Sequence, residues 1–293
     1  MLNKAEEIIE YCEKNDCHIY DLVLDYEMKV LKKSEEEIRS YIDEIISIME
    51  GSATRYLEDQ TETQYKMIDG FSKLTYAYAQ NKEPIMGEFA TKAMAMAFST
   101  SEVNGSMGKI AAAPTAGSSG IMPAMLVSAK ERYNFDQRTL QNGFLTSVGI
   151  GQVIGKYATF AGAEGGCQAE CGSASAMAAS ALTEMLGGTP EQALTAASIT
   201  LINVMGLVCD PIAGLVQYPC TFRNASGVIN AFISTDLALA GVKSIVPFEE
   251  VVQAMKEVGD KMDVSLRETG LGGIAGTKTG QCIRKNFLNI KGE

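Results

Sequence analysis

The chain has 293 residues, 46% of them hydrophobic and 21% charged, with a formal net charge of −11 and no tryptophan. That length can bury a sizeable core, in one large domain or in a large domain with a small one. The acidic balance argues against a nucleic-acid surface, which needs basic stripes, but it still allows an acidic small molecule in a locally positive pocket.

The first ten residues are charged and amphipathic, without the basic start, apolar run and small-residue cleavage site of a signal peptide. No run of about 18 apolar residues occurs, so no membrane span and a cytoplasmic location are expected. Seven cysteines, an odd count, speak in a reducing compartment against a disulfide framework and for metal, cluster or core use.

Residues 1–60 read as an N-terminal helical segment. Ile8-Ile9, Leu22-Val23, Leu31 and Ile45-Ile46 fall on apolar stripes, and Ser34 with Glu37 makes a capping box. Cys12 and Cys17 are expected to be structural or exposed, and the lone histidine, His18, to be a surface residue. Residues 61–293 read as a second, larger helical domain. From about residue 84 the chain is rich in Gly, Ala, Ser and Met. Asp136 is placed to cap a helix, as is Thr189 ahead of Pro190 and Glu191. Ser175–Leu186 and Pro190–Met205 carry Ala and Leu at helical spacing, and strand-length alternation of Val, Ile and Thr is scarce. The predicted fold class is all-α, with Gly-rich loops around a site.

Three stretches stand apart from ordinary core. The first, Gly108 to Pro123, contains the small-residue run Thr115-Ala116-Gly117-Ser118-Ser119-Gly120 ahead of an apolar segment. If a helix follows, its N-terminus and the loop's N–H groups can hold an anion such as a carboxylate. A tight inter-helix turn is the ordinary alternative, and no Gly-Lys-Ser/Thr closes the loop as in a phosphate-binding motif. The second stretch, Gly162 to Ser175, holds Cys167 and Cys171; the third, Gly206 to Asn224, holds Cys209 and Cys220. Cysteines in Gly/Pro-rich loops suit soft-metal thiolates. Paired C-x-x-C ligands are missing, so spacing alone leaves buried free thiols as an equal reading.

Together the three stretches resemble the signature of the α chain of iron–sulfur L-serine dehydratases, over roughly residues 60–280. The resemblance implies conversion of L-serine to pyruvate and ammonia with a 4Fe-4S cluster and no pyridoxal phosphate. It implies Cys167, Cys209 and Cys220 as the metal ligands, with Cys282 a candidate fourth and Cys171 a free thiol nearby. One iron without a cysteine ligand would act as Lewis acid on the substrate hydroxyl. Thr115 to Gly120 would bind the substrate carboxylate. Lys109, Lys156 and Arg223 are candidates for neutralising charge, and Lys109 and Glu164 are the catalytic candidates. The resemblance also implies a separate β chain bearing serine and histidine loops, and an oligomer is expected. Three rival readings are a cysteine desulfidase of the same superfamily, a non-catalytic iron–sulfur redox sensor, and an Ala-rich helical interaction protein.

Overall fold

The structure, a computed structural model, describes residues 4–290, with side chains through Phe287. Among these, thirteen α-helices follow one another without a strand: α1 (Ala5–Asn15), α2 (Ile19–Leu31), α3 (Glu35–Thr54), α4 (Phe71–Asn81), α5 (Gly87–Gly105), α6 (Ile121–Tyr133), α7 (Gln137–Tyr157), α8 (Gly162–Gly165), α9 (Ser173–Met185), α10 (Pro190–Asn203), α11 (Cys220–Leu239), α12 (Phe248–Lys261) and α13 (Lys278–Ile290). The all-α expectation holds. No described helix is long and apolar enough to cross a membrane.

Local sequence sets the helix starts. Ser34 Oγ accepts from Glu37 N at 3.2 Å, while Glu37 Oε2 accepts from Ser34 N at 2.8 Å. Asp136 Oδ1 accepts from Thr139 N at 2.8 Å, and Thr189 Oγ1 accepts from Gln192 N at 3.2 Å. Each of these bonds satisfies an N–H group that has no partner inside the helix. Two expected limits shift by a turn or less. Helix α9 begins at Ser173, and α10 stops at Asn203, where the chain turns through Gly206 at φ +87°.

Helix α9 is the axis of the molecule. Ser173 to Glu184 are all buried, and the helix packs against α6, α7, α10 and α11. Its Ala-rich faces let neighbours approach closely, and most of its hydroxyls turn back onto their own helix. Ser175 donates to Cys171 O, Ser180 to Ala176 O and Thr183 to Ala179 O, which satisfies these buried hydroxyls within the helix; Ser173 Oγ, alone of the helix's three serines, is buried without a partner among the described residues. Where α11 meets this layer, a Cβ on Gly227 would lie 2.6 Å from Ile121 Cδ1 and 2.7 Å from Ser175 Oγ.

The N-terminal helices share this core, which runs without a break from Ala5 to Met255. Buried Arg39 on α3 donates to Gln141 Oε1 and Asn142 Oδ1 of α7, both at 3.1 Å. Glu184 of α9 accepts from Ile19 N at 2.9 Å and from Thr146 Oγ1 at 2.5 Å, which fixes the start of α2. His18 is therefore not a plain surface residue. Its Nδ1 lies 3.4 Å from Glu184 Oε1, an ion-pair distance without hydrogen-bond alignment. This carboxylate raises the His18 pKa, against the opposing effect of burial. Burial also pushes the neighbouring Cys12 thiol up to about 12.

Two predictions follow from these contacts. Gly227→Ala forces α6 and α9 away from α11 and should lower unfolding stability by about 1–3 kcal/mol, read by chemical denaturation. The raised His18 pKa means that its stabilisation is fully present below the ordinary histidine value and fades as pH rises through the raised one. The gap between wild type and His18→Gln in melting temperature should accordingly narrow with rising pH. Because His18 is well exposed, the gap is worth about 1 kcal/mol or less.

Candidate active site

The three unusual stretches converge at one end of the α9 axis. The first forms the turn that leads into α6. Thr115 Oγ1 donates to Glu170 Oε1 at 2.6 Å and lies 3.0 Å from Ser118 Oγ, which leaves Ser118 as the donor in that pair. Ser119 Oγ donates to Ala116 O at 2.7 Å. Asn224 of α11 grips the same turn from below. Its Oδ1 accepts from Gly120 N at 2.8 Å, and its Nδ2 donates to Gly117 O at 2.7 Å and to Cys220 O at 2.9 Å. A single amide thus ties the predicted carboxylate loop to the backbone of Cys220.

The second stretch runs from α8 through Cys167 and a π-helical turn, Gln168–Gly172, into α9. Buried Gln168 anchors it. Its Nε2 donates to Gly165 O at 2.9 Å and to Met255 O at 3.0 Å, and its Oε1 accepts from Gly206 N at 2.8 Å. Helix α12 braces the turn so closely that a Cβ on Gly259 would stand 2.8 Å from Gly165 Cα.

The third stretch is irregular as far as Cys220, the first residue of α11. Cys209 lies in an extended segment, with its N–H donating to Leu266 O at 2.9 Å and its carbonyl accepting from Glu268 N at 2.6 Å. Next to it, buried Asp210 pairs with Arg223, one turn into α11, and its Oδ2 accepts from Ile274 N at 2.6 Å. Gly273, at φ +57°, permits that approach, since a Cβ there would lie 2.1 Å from Asp210 Oδ2.

The thiols of Cys167, Cys209 and Cys220 are buried, each at 4% exposure or less, and Cys167 lies close enough to act electrostatically on both of the others. Burial pushes Cys209 and Cys220 far above the ordinary thiol value. Cys167 moves the other way. The Cys171 thiol, 3.3 Å from it, stabilises its thiolate, and Arg223 adds to the effect. Burial pushes the Glu170 carboxyl up, opposed by the Thr115 hydrogen bond.

These residues suit a cluster held by three thiolates. All the donors are sulfur, as iron–sulfur ligation requires. Gly162 leaves open the space beside Cys209 Sγ, where a Cβ would lie at 2.8 Å. Arg223 Nη1 is buried without a protein acceptor, facing a region that three thiolates would make anionic. No three described His, Cys, Asp or Glu side chains converge tightly enough to hold a single metal ion. A cluster instead takes its thiolates at separate corners.

Other predicted residues lie elsewhere. Glu164 is exposed on the four-residue α8, and only its carbonyl takes part in the site, accepting from Arg267 Nη1 at 3.4 Å. The carboxylate that points among the loops is Glu170, six residues on. Lys109 is exposed beyond the end of α5, and Lys156 is exposed on α7 with its ammonium over the Tyr157 ring. Cys282 is exposed on α13, unlike the three buried thiols. Arg223 does sit beside the thiols. Asp210, Asn224, Gln168 and Glu170 were not singled out from the sequence, although each lies in or next to a cysteine-bearing stretch.

A family described as "Serine dehydratase alpha chain" matches residues 14–275. The chain is 73% identical over 288 residues to the L-serine dehydratase alpha chain of Peptoniphilus asaccharolyticus, covering 98% of this chain and 99% of that one. It is 35% identical over 282 residues to the L-serine dehydratase of Streptomyces coelicolor, covering 92% of this chain and 60% of the relative. For the enzyme of the same description from Helicobacter pylori strain J99 the identity is 32% over 287 residues, covering 94% and 61%. With the three loops folded into one buried thiol site and the match running nearly end to end, the chain belongs to the serine dehydratase alpha chain family.

Proposed function

We propose that this chain is the α chain of an L-serine dehydratase that converts L-serine to pyruvate and ammonia, with a 4Fe-4S cluster held by Cys167, Cys209 and Cys220. The observation that carries the reading is the convergence of three buried thiols, from segments far apart in sequence, on a small-residue loop at the start of a helix. The names and extent of the relatives agree with it.

Dehydration of serine removes the Cα proton and the β-hydroxyl, giving an enamine that rearranges to an imine and hydrolyses to pyruvate and ammonia. When bound, the cluster would supply Lewis acidity toward the poor hydroxyl leaving group at an iron without a cysteine ligand. The protein's part is to bind and orient. The 115–120 loop, ahead of the α6 N-terminus, offers backbone N–H groups for the substrate carboxylate, while its Thr115, Ser118 and Ser119 hydroxyls are turned onto Glu170 and the loop itself. Arg223 holds positive charge at the thiols while anchored by Asp210, and Gln168 and Asn224 fix the backbones of the cysteine-bearing loops. Burial of the thiols keeps bulk water from the reacting centre.

The α-proton acceptor is proposed to come from a separate β chain. The relative from Peptoniphilus asaccharolyticus is itself named an alpha chain, which supports such a partner. A cytoplasmic enzyme fits this reading.

The test is anaerobic iron–sulfide reconstitution of the chain together with its β partner. A broad absorbance near about 400 nm and pyruvate release from L-serine, faster than from L-cysteine, are expected. Cys209→Ala and Cys220→Ala should each lose the absorbance and the turnover together. A colourless wild-type protein would return the thiols to the core and end the proposal. Arg223→Lys keeps the charge but loses the planar fork that reaches Asp210, and should lower iron retention or kcat/KM about 10- to 100-fold.

A further inference from the structure

We infer that Glu170 binds the α-ammonium group of the amino-acid substrate, so that the substrate is held at both of its charged ends. The inference rests on the reading of this site as one for L-serine.

Position is the first argument. Glu170 stands where the three loops meet. Its Oε1 accepts the Thr115 hydroxyl at 2.6 Å. A Cβ on Gly117 would fall 2.5 Å from Oε1, and one on Gly162 would fall 3.4 Å from Oε2 and 2.8 Å from Cys209 Sγ. The two glycines thus make room for a carboxylate between the loop ahead of α6 and the thiols.

Charge is the second. Among the described residues no lysine or arginine forms an ion pair with Glu170, and the nearby Arg223 is paired with Asp210. Glu268 adds further negative charge. A mostly buried carboxylate with one hydroxyl donor is expensive to keep ionised. A glutamine would accept the Thr115 hydrogen bond as well without that cost, so the Thr115 contact does not by itself account for an acid here. A substrate ammonium supplies the missing positive charge.

Shape is the third. In an α-amino acid the carboxylate and the ammonium share one carbon, and the β-hydroxyl of serine lies one carbon further on. Glu170 adjoins the 115–120 loop on one side and Cys209 on the other. Carboxylate to the loop, ammonium to Glu170 and hydroxyl toward the thiols makes a three-point grip, which distinguishes the two hands of the substrate.

The test uses the cluster-loaded chain with its β partner, and compares KM for L-serine with the competitive inhibition constant of 3-hydroxypropanoate, which lacks only the ammonium. In Glu170→Gln, KM for serine should rise about 10- to 100-fold, as loss of a charge-assisted hydrogen bond implies. The 3-hydroxypropanoate constant and the visible absorbance per chain should stay within about twofold, well inside one charge-assisted bond. Glu170→Asp, which keeps the charge, should recover most of the serine affinity. Equal weakening of both compounds, or an unchanged KM, overturns the inference. So does loss of the absorbance in both variants, which would make Glu170 a support of the cluster. Wild-type enzyme that turns over no serine defeats the functional reading itself, whereas any of these results with an active wild type defeats this inference alone.

Discussion

The site depends on the buried pair between Asp210 and Arg223. Side-chain exposure is only 3% for the aspartate and 13% for the arginine. Such a pair gives little net stability, because desolvation offsets most of the attraction, yet loss of one partner strands a buried charge at about 3–5 kcal/mol. Its geometry matters more than its energy. Asp210 follows Cys209, and Arg223 lies one turn beyond Cys220, so one contact sets the separation of two thiols. The second oxygen of Asp210 holds the Ile274 amide, which draws the 269–276 loop against the same point. The arginine keeps one nitrogen buried and without a partner among the described residues, and its charge is felt by Cys167 and Cys220.

Around this pair the fold works by close approach. Small residues, not large interlocking ones, bring the helices together at Gly227 on Ile121 and at Gly259 on Gly165. Backbones that nearly touch cannot slide without collision, so the loops at the ends of these helices inherit fixed positions. Helix α12 carries this rigidity to the Cys167 turn through Met255 O and Gln168. The N-terminal helices reach the same axis through Glu184, which holds the first N–H of α2 and lies near the far end of the helix that starts beside Cys171.

Much of this was legible in the sequence because it is local. Capping boxes at Ser34 and Thr189 act within four residues, and the Ala-rich periods of α9 and α10 follow from propensity. The three cysteine and glycine stretches announced themselves by composition. What escaped depends on tertiary placement. Glu164 and Glu170 sit in one short segment with similar neighbours, and only the π-helical turn after Cys167 decides which carboxylate faces Thr115. Asp210 and Arg223 were both visible, but their partnership across thirteen residues was not. His18 read as a surface residue because its partner, Glu184, is 166 residues away, where periodicity carries no information.

The span of the site has a consequence for the order of events during biosynthesis. Its parts run from Thr115 to Ile274, and the last of them is made 54 residues after Cys220 (274 − 220). A growing chain that has reached Cys220 possesses the Cys167, Cys209 and Cys220 thiols but lacks the segment that hydrogen-bonds Cys209 and steadies Asp210. Such long-range closure forms late. The thiol site therefore reaches its final shape only once the segment through Ile274 is in place, well after the last of its thiols has been made.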